Sequence, residues 1–263
     1  METGNKKLIF YIFPKHFCFG KFDIKKKSFE TLESLKNNEK IKISDMITKV
    51  INKFDQSQIQ SISVSVNLEN ETFIPNQLYD KNNLNYYFPI DDSSRNKKTH
   101  LVFKQRFANC YCITSIELKL KEIFKNYLHK TEFRPFGSLM VDYAIYSNEN
   151  SKEVYMNIHQ NLFNIAIVEN KNLIFCNSFN FKNLNDFKYY FLKCIKFHEI
   201  NQRSVVCKII SNTDTDSKFI DIIKEFMLNV SSMDKPNMLS YEDSIPKNSL
   251  NNFLNIFSQI ICE

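Results

Sequence analysis

Glycine is scarce in this sequence and tryptophan is absent: 263 residues include 3 glycines and no tryptophan. An average composition of about 7% glycine would give about 18. Loops that cradle phosphate groups need glycine where the backbone approaches the ligand. Neither the P-loop pattern nor the glycine-rich dinucleotide-binding fingerprint occurs in the chain, which excludes both types of site.

Long apolar runs are lacking as well. No run approaches the roughly 20 apolar residues of a membrane-spanning helix. The N-terminal segment has no apolar core followed by a small-residue cleavage site, so we expect no signal peptide. The 7 cysteines are odd in number and irregularly spaced, which argues against a disulfide framework. We therefore expect a cytoplasmic protein with reduced cysteines.

The composition that is present is typical of a folded protein. Hydrophobic residues make up 43% of the chain, and the formal net charge is +6. This apolar content predicts a sizeable buried core. The lysine runs are short and acidic residues are interspersed, so the positive charge predicts an ordinary solvated surface. Contact with RNA or another polyanion is the alternative.

Two similar sets of elements follow one another along the chain. Apolar spacing predicts, for the first set, strands at 7–13, 17–24, 27–35 and 59–66, with a helix over 43–54 before the last strand. The second set repeats this order with strands at 153–158, 162–168, 171–179 and 204–210, a helix over 184–195 and a further helix over 219–227. We interpret this as a duplication, with one lobe at 1–150 and the other at 151–263.

A shift of 146 positions, the separation of Phe17 and Phe163, brings the first hairpins of the two sets into phase. The same shift aligns two further pairs, Asp23 with Glu169 and Phe29 with Phe175. Apolar phase and turn positions agree, although few identical residues are shared. The fold class that we expect is α/β, with each lobe a βββαβα unit.

The segment between the two sets is less regular. It contains an irregular insert near 70–98, strands at 99–106 and 108–114, and a helix over 116–128. A last helix carries apolar residues from Leu250 to Ile261 on one face. We expect this helix to pack on the second lobe; docking into a partner's groove is the alternative.

Two segments resemble a known family. The first is 72–80 followed by 83–88, and the second is 172–179 followed by 186–192. Both are similar to the DUF3822 proteins, a bacterial family of unknown function found mainly in Bacteroidetes, and the resemblance covers nearly the whole chain. It implies an actin-like ATPase fold with two RNase-H-like lobes. The matching motifs are structural rather than catalytic.

The resemblance also implies where a nucleotide would bind. Actin-like ATPases hold phosphates in the first hairpin turn of each lobe, which needs glycine and a nearby aspartate, and a later glycine pair approaches the nucleoside. All three positions depart from that pattern here. The residues at them, which remain candidates for an anionic ligand between the lobes, are Lys15, His16, His159, Gln160, Asn161, Ser211 and Asn212.

Other chemically capable residues have simpler explanations. Asp214 and Asp216 precede a helix, which Asp216 or Ser217 is expected to cap; Mg²⁺ binding by the two aspartates is the alternative. Cys110 and Cys112 are expected to pack in a core, because a zinc site would need two further ligands. His16 and His159 lie near the two hairpin turns and are expected to have turn or surface roles, since no partner for a general base is visible at fixed spacing. The phenylalanines of 187–191 are expected to form a core stripe with the tyrosines at its rim, rather than a base-stacking surface.

We therefore expect a degenerate actin-like ATPase with no catalytic residue, metal or cofactor. Its function would be that of a scaffold or adaptor that binds a protein partner, through the cleft or the insert. One alternative is a diverged ligand-binding protein or ATPase. The other is a basic factor that contacts RNA.

Overall fold

The computed structural model describes residues 4–12, 16–36, 42–66, 71–125, 127, 130–159, 161–211, 217–243, 245, 250 and 253–262. The strands are β1 (Lys6–Ile12), β2 (His16–Asp23), β3 (Ser28–Lys36), β4 (Ile59–Val66), β5 (Thr72–Pro75), β6 (Lys98–Lys104), β7 (Cys110–Glu117), β8 (Lys130–Pro135), β9 (Glu153–His159), β10 (Leu162–Glu169), β11 (Asn172–Asn180), β12 (Val206–Ser211), β13 (Asn229–Ser232) and β14 (Ser240–Tyr241). The α-helices are α1 (Ile43–Ile51), α2 (Leu84–Tyr87), α3 (Leu118–Lys125), α4 (Phe136–Ser147), α5 (Leu184–Phe197), α6 (Ser217–Phe226) and α7 (Leu254–Ile261).

Two mixed sheets with the same internal order form the frame of the molecule. The first has the order β14-β3-β2-β1-β4-β8 and the second has the order β11-β10-β9-β12-β13. In each sheet the first three strands are antiparallel, and the first strand also pairs in parallel with a later one, β4 or β12. Strands β1 and β9 are buried along nearly their whole length, as strands covered on both faces are. The two predicted sets of strands are confirmed.

A β-bulge interrupts both lobes at the same place. It lies between Lys21 and Phe22 where β2 pairs with β3, and between Ile167 and Val168 where β10 pairs with β11. The two bulges are related by the predicted shift of 146 positions. Because a bulge redirects the strand and is not required by apolar alternation, its recurrence supports a duplication more strongly than the apolar pattern does.

The shift of 146 positions aligns the first two strands of each sheet but not the third. The turn before β3 spans 24–27, whereas the turn before β11 spans 170–171. Phe29 pairs with Phe22, and the residue in the equivalent place, paired with Val168, is Leu173. The predicted match of Phe29 with Phe175 is therefore wrong by two residues, because the second turn is shorter.

The helices form layers around the sheets. Helices α1 and α3 share one apolar cluster with β1 and β4 on the outer side of the first sheet. Helices α5 and α6 share another with β9 and β12 on the outer side of the second. Helices α4 and α7 lie in a third cluster with residues of both sheets. Nearly every residue of α4 and α7 is buried. Helix α4 is accordingly apolar on most of its surface, whereas α7 also buries the polar residues Asn255, Ser258 and Gln259.

The C-terminal helix does not pack where the sequence predicted. Helix α7 contacts β1, β2 and β4 of the first sheet, together with α4. Gln259 anchors it, because its side-chain oxygen accepts from the Ser63 hydroxyl at 2.7 Å and its nitrogen donates to the Phe10 carbonyl at 3.0 Å. Strand β14 also joins the first sheet, beside β3. The division into lobes at residue 150 stays a prediction.

The segment between the two repeated sets forms a small third sheet with the order β5-β7-β6. Strands β6 and β7 correspond to the predicted strands at 99–106 and 108–114, and the predicted helix at 116–128 begins at Leu118. The irregular stretch near 70–98 contains β5 and the single helical turn α2. None of the helices in the described part of the chain is long and apolar enough to cross a membrane.

Candidate functional site

The predicted cleft residues are only partly described. Lys15, Gln160 and Asn212 lie outside the described residues. His16 is the first residue of β2 and Ser211 is the last of β12. His159 ends β9 beside the hairpin turn, where it was expected, but it is 4% exposed and does not lie on the surface, because it pairs with Leu162 within the sheet. Asn161 is exposed, and its carbonyl accepts from Phe181 at 2.8 Å.

The described residues among the other chemically capable candidates form no reactive centre. Asp214 and Asp216 lie outside the described residues. Burial raises the pKa of Cys110 to about 11 and raises that of Cys112 well above its usual value. Such thiols stay protonated at neutral pH and are poor nucleophiles. Among the residues that the structure describes, no group of three or more His, Cys, Asp or Glu side chains is placed to hold a metal ion.

A groove runs between the edges of β5 and β11, and in the described part of the chain each of these is the outermost strand of its sheet. One wall is 71–75 and the other is 171–178, with 107–110 at the end next to Pro75. The groove holds two cavities, of about 330 and 580 Å³. We refer to it as the edge-strand groove.

Most residues that line the larger cavity are apolar, and few of them are charged. Lys171 is the charged residue in its described lining, and the Lys171 Nζ donates to the Tyr146 carbonyl at 3.2 Å. A cavity of this character suits apolar side chains and offers little to a phosphate. The lining residues are Phe73, Pro75, Phe107, Ala108, Asn109, Cys110, Lys171, Asn172, Leu173, Ile174, Phe175 and Cys176.

Exposed apolar side chains border this cavity. Phe107 and Ile174 line it and remain 37% and 48% exposed. The Phe107 ring lies 6.0 Å from that of Tyr146, whose hydroxyl is 3.9 Å from the sulfur of Met238. We refer to Phe107, Tyr146, Ile174 and Met238 as the apolar rim. Contiguous exposed apolar surface of this kind marks interaction sites.

The Asp142 carboxylate fixes the loop that carries Phe107. It accepts from the backbone N–H of Phe107 at 2.9 Å and from that of Arg106 at 3.0 Å. Burial raises the pKa of Asp142, while these two N–H groups act in the opposite direction. Because Asp142 lies on the buried helix α4, the rim is attached to the core of the molecule.

Glu71 forms the polar end of the groove. Its carboxylate accepts from the backbone N–H of Gly137 at 3.1 Å, at the start of α4, and from the Cys112 thiol at 3.7 Å. A Cβ on Gly137 would lie 2.0 Å from the Glu71 Oε2, so glycine is required for this approach. Burial raises the pKa of Glu71 to about 7, although its hydrogen bonds favour the charged form.

A row of polar side chains leads from the groove into the interior. The Ser178 Oγ accepts from the Asn164 Nδ2 at 2.6 Å, and the Asn164 Oδ1 accepts from the Asn157 Nδ2 at 3.2 Å. Burial raises the pKa of the Tyr11 hydroxyl well above its usual value. Asn157 lies close enough to that hydroxyl to act in the opposite direction. The row therefore connects a groove residue of the second sheet to a strand of the first.

The sequence reasoning missed this groove, although it singled out both walls. The segments 72–80 and 172–179, which carry the family resemblance, contain β5 and β11. Each wall alone has the pattern of an ordinary strand. Only the packing of the third sheet beside the second brings the two edges together, and no local signal predicts that contact.

Comparison with known proteins gives the fold. A Bacteroides thetaiotaomicron protein with an actin-like ATPase fold and unknown function superimposes with a TM-score of 0.81 at 17% identity. The superposition covers 100% of this chain and 98% of that protein. The PilM–PilN type IV pilus biogenesis complex gives a TM-score of 0.65 at 5% identity, covering 98% of each chain. The ethanolamine utilization protein EutJ from Carboxydothermus hydrogenoformans gives 0.51 at 6% identity, covering 98% of this chain and 90% of that one. The chain has the actin-like ATPase fold.

At these identities the likeness shows the fold alone. No curated protein matches the sequence. The profile of a family described as "Protein of unknown function (DUF3822)" matches residues 1–230, and the chain therefore belongs to the DUF3822 family.

Proposed function

We propose that this protein is a non-catalytic member of the actin-like fold that works as a scaffold or adaptor, binding a protein partner through the edge-strand groove. The observation that carries this proposal is that the apolar rim borders two free strand edges. Exposed apolar surface and unpaired strand edges both favour association with another chain. Their meeting in one groove is better suited to a protein than to a small charged ligand.

The chemistry of the described residues supports a non-catalytic role. The larger cavity offers one lysine, which is already bonded to a carbonyl, and thiols whose pKa values lie far above neutrality. The smaller cavity offers Glu71, whose carboxylate is already held by the Gly137 N–H and the Cys112 thiol. The chain also has only 3 glycines with which to form phosphate-binding turns. Gly137 is one of them, and it accommodates Glu71 rather than a ligand.

The same frame takes part in a protein complex elsewhere, since one of its structural neighbours is the PilM–PilN complex. This is an analogy at the level of fold and does not identify a partner. We further propose that the protein acts in the cytoplasm.

Position-specific photo-crosslinking in living cells tests the proposal. A photoreactive phenylalanine analogue is placed at Ile174 or Phe107 in the groove, and at Phe197 or Leu228 as matched controls. The two controls are 79% and 75% exposed and lie outside the groove lining. We expect one adduct of the same mass from both groove positions and none from the controls.

The substitution Ile174→Asp should then abolish the adduct formed at Phe107, because a carboxylate does not fit the apolar rim. Phe197→Asp should leave that adduct unchanged. Equal labelling at groove and control positions, or no groove adduct at all, contradicts the proposal.

A further inference from the structure

The first sheet already carries an added strand at one edge. Strand β14 pairs with β3 in parallel, with Ser240 opposite Ser28 and Tyr241 opposite Phe29. The N–H of Ser240 donates to the Lys27 carbonyl at 3.1 Å. The Tyr241 ring stacks on Phe29 at 6.1 Å with an interplanar angle of 11°. A short segment from a distant part of the chain is thus held by the edge of a βββ unit.

The hydrogen bonds of β14 alternate around Tyr241. Ser240 donates on one side, and on the other side the N–H of Glu242 donates to the Phe29 carbonyl at 3.0 Å. In a parallel pair the N–H of the residue between two donors points away from its neighbour. The edge of β3 therefore binds the backbone N–H groups of the two residues that flank the aromatic side chain.

The equivalent edge of the second sheet is β11. When the two bulges are aligned, Leu173 of β11 is equivalent to Phe29 of β3. Lys171 is therefore equivalent to Lys27. Both lysines have left-handed backbones, with φ of 59° and 52°, which non-glycine residues rarely adopt. The two edges thus begin with the same local geometry.

Lys171, Asn172 and Leu173 line the larger cavity of the edge-strand groove. Among the described residues, β11 pairs only with β10, so no strand occupies the place that β14 takes beside β3. The internal repeat therefore indicates both what kind of segment this edge accepts and where it would bind.

We propose that the partner supplies a short extended segment that adds to β11 in parallel, as β14 adds to β3. The proposal rests on the proposed function and specifies the occupant of the same groove. Two N–H groups of the segment donate to the Lys171 and Leu173 carbonyls. The side chain between them is aromatic, enters the larger cavity and packs on Leu173, as Tyr241 packs on Phe29.

The proposed segment pairs with only part of β11 and does not reach the C-terminal end of that strand. The backbone N–H of Phe181 donates to the Asn161 carbonyl at 2.8 Å. Because hydrogen bonding alternates along an antiparallel pair, the N–H groups of Ser178 and Cys176 point away from β10. The N–H of Ser178 is bonded by the Asn177 Oδ1 at 2.8 Å. The segment accordingly pairs along the first half of β11 and ends before Ser178.

Peptide display on the intact protein tests the inference. A library of short random peptides is selected against the wild-type chain, with Ile174→Asp as the counter-selection target and Phe197→Asp as the matched control. We expect enriched peptides to share one aromatic residue without proline on either side. Binding should be lost in Ile174→Asp and retained in Phe197→Asp.

Backbone N-methylation of an enriched peptide then tests strand pairing. Methylating the residue before or after the aromatic one should weaken binding about tenfold or more, whereas methylating the aromatic residue itself should have little effect. No enrichment, equal sensitivity at all three amides, or apolar residues at helical spacing would overturn the inference. If groove-specific crosslinks persist in any of these cases, the proposed function stands and the strand-like occupant alone is wrong.

Discussion

Tyr11 and Asn157 occupy the same position in the two lobes and come together between the two sheets. They are related by the shift of 146 positions that aligns the hairpins, and Asn157 lies close enough to influence the Tyr11 hydroxyl. Tyr11 is fully buried, and its ring lies 5.0 Å from Phe136 of α4. The duplicated residues have thus diverged into a complementary pair at the interface of the lobes.

The polar row behind Asn157 should contribute measurably to stability. Asn164→Ala removes hydrogen bonds to both Asn157 and Ser178 and leaves buried polar groups without partners. We expect a loss of about 2 kcal/mol in the free energy of unfolding. Urea denaturation with an unchanged m-value measures it. The exposed control Asn161→Ala should change stability by less than about 0.5 kcal/mol; equal effects for the two variants would contradict the role of the row.

The contact between Gly137 and Glu71 can be isolated by a double-mutant cycle. Gly137→Ala alone forces the new Cβ against the Glu71 Oε2, and we expect a loss of about 1–3 kcal/mol from the resulting displacement. In the Glu71→Ala background the same change should be neutral or stabilising, because alanine favours a helix over glycine by roughly 0.5–1 kcal/mol. Additive effects in chemical denaturation would show that the two residues are not coupled.

Glu71 should make stability depend on pH. Its folded-state pKa of about 7 lies above the value of a free glutamate. The folded protein therefore binds more protons than the unfolded one between these two values, and stability falls as pH rises through about 7. Unfolding free energies of the wild type and Glu71→Gln, compared from pH 5 to pH 8, isolate this group. We expect the free energy of unfolding of Glu71→Gln to rise relative to that of the wild type as pH rises. A difference that does not change with pH would contradict the raised pKa of Glu71.

The C-terminal helix should be essential for the core of the first sheet. Phe257 is fully buried, and its ring lies 5.3 Å from Phe29 and 5.4 Å from Tyr241. We expect Phe257→Ala to cost about 3–5 kcal/mol. Leu228→Ala, at a position 75% exposed, serves as the control and should cost little. A small effect of Phe257→Ala on the thermal midpoint would contradict the observed packing.

Nucleotides should leave the thermal stability unchanged if the protein is non-catalytic. A ligand present at about 100 times its Kd would stabilise the fold by roughly 2.7 kcal/mol, a shift of several degrees. Melting curves with and without Mg-ATP, Mg-ADP or Mg-GTP measure this directly. A clear shift would instead favour the diverged ATPase, with a site near Lys15 and Gln160.

The sequence predicted the repeated elements because their apolar periodicities are local. Helix α1 carries the predicted stripe from Ile43, although it ends at Ile51 rather than at Phe54. The match of Asp23 with Glu169 is also supported, since these carboxylates pair with equivalent lysines, Lys6 and Lys152.

Features that depend on contacts between distant segments escaped prediction. The apolar stripe of α7 fits either lobe equally well, and only tertiary packing selects the first sheet. The position of His159 beside a turn could be predicted, but its burial depends on the packing around the pair that it forms with Leu162. The groove requires two edges that lie about a hundred positions apart in the chain, at β5 and β11.

The route of the chain sets an order of events during synthesis. Domains generally fold as the ribosome delivers them, starting from the N-terminus. Here the inner face of β1, at the beginning of the chain, is covered by α7, at residues 254–261. Until those residues emerge, that face stays exposed to water, to chaperones and to proteases. The core of the first sheet is therefore completed only after the strands of the second sheet have been made.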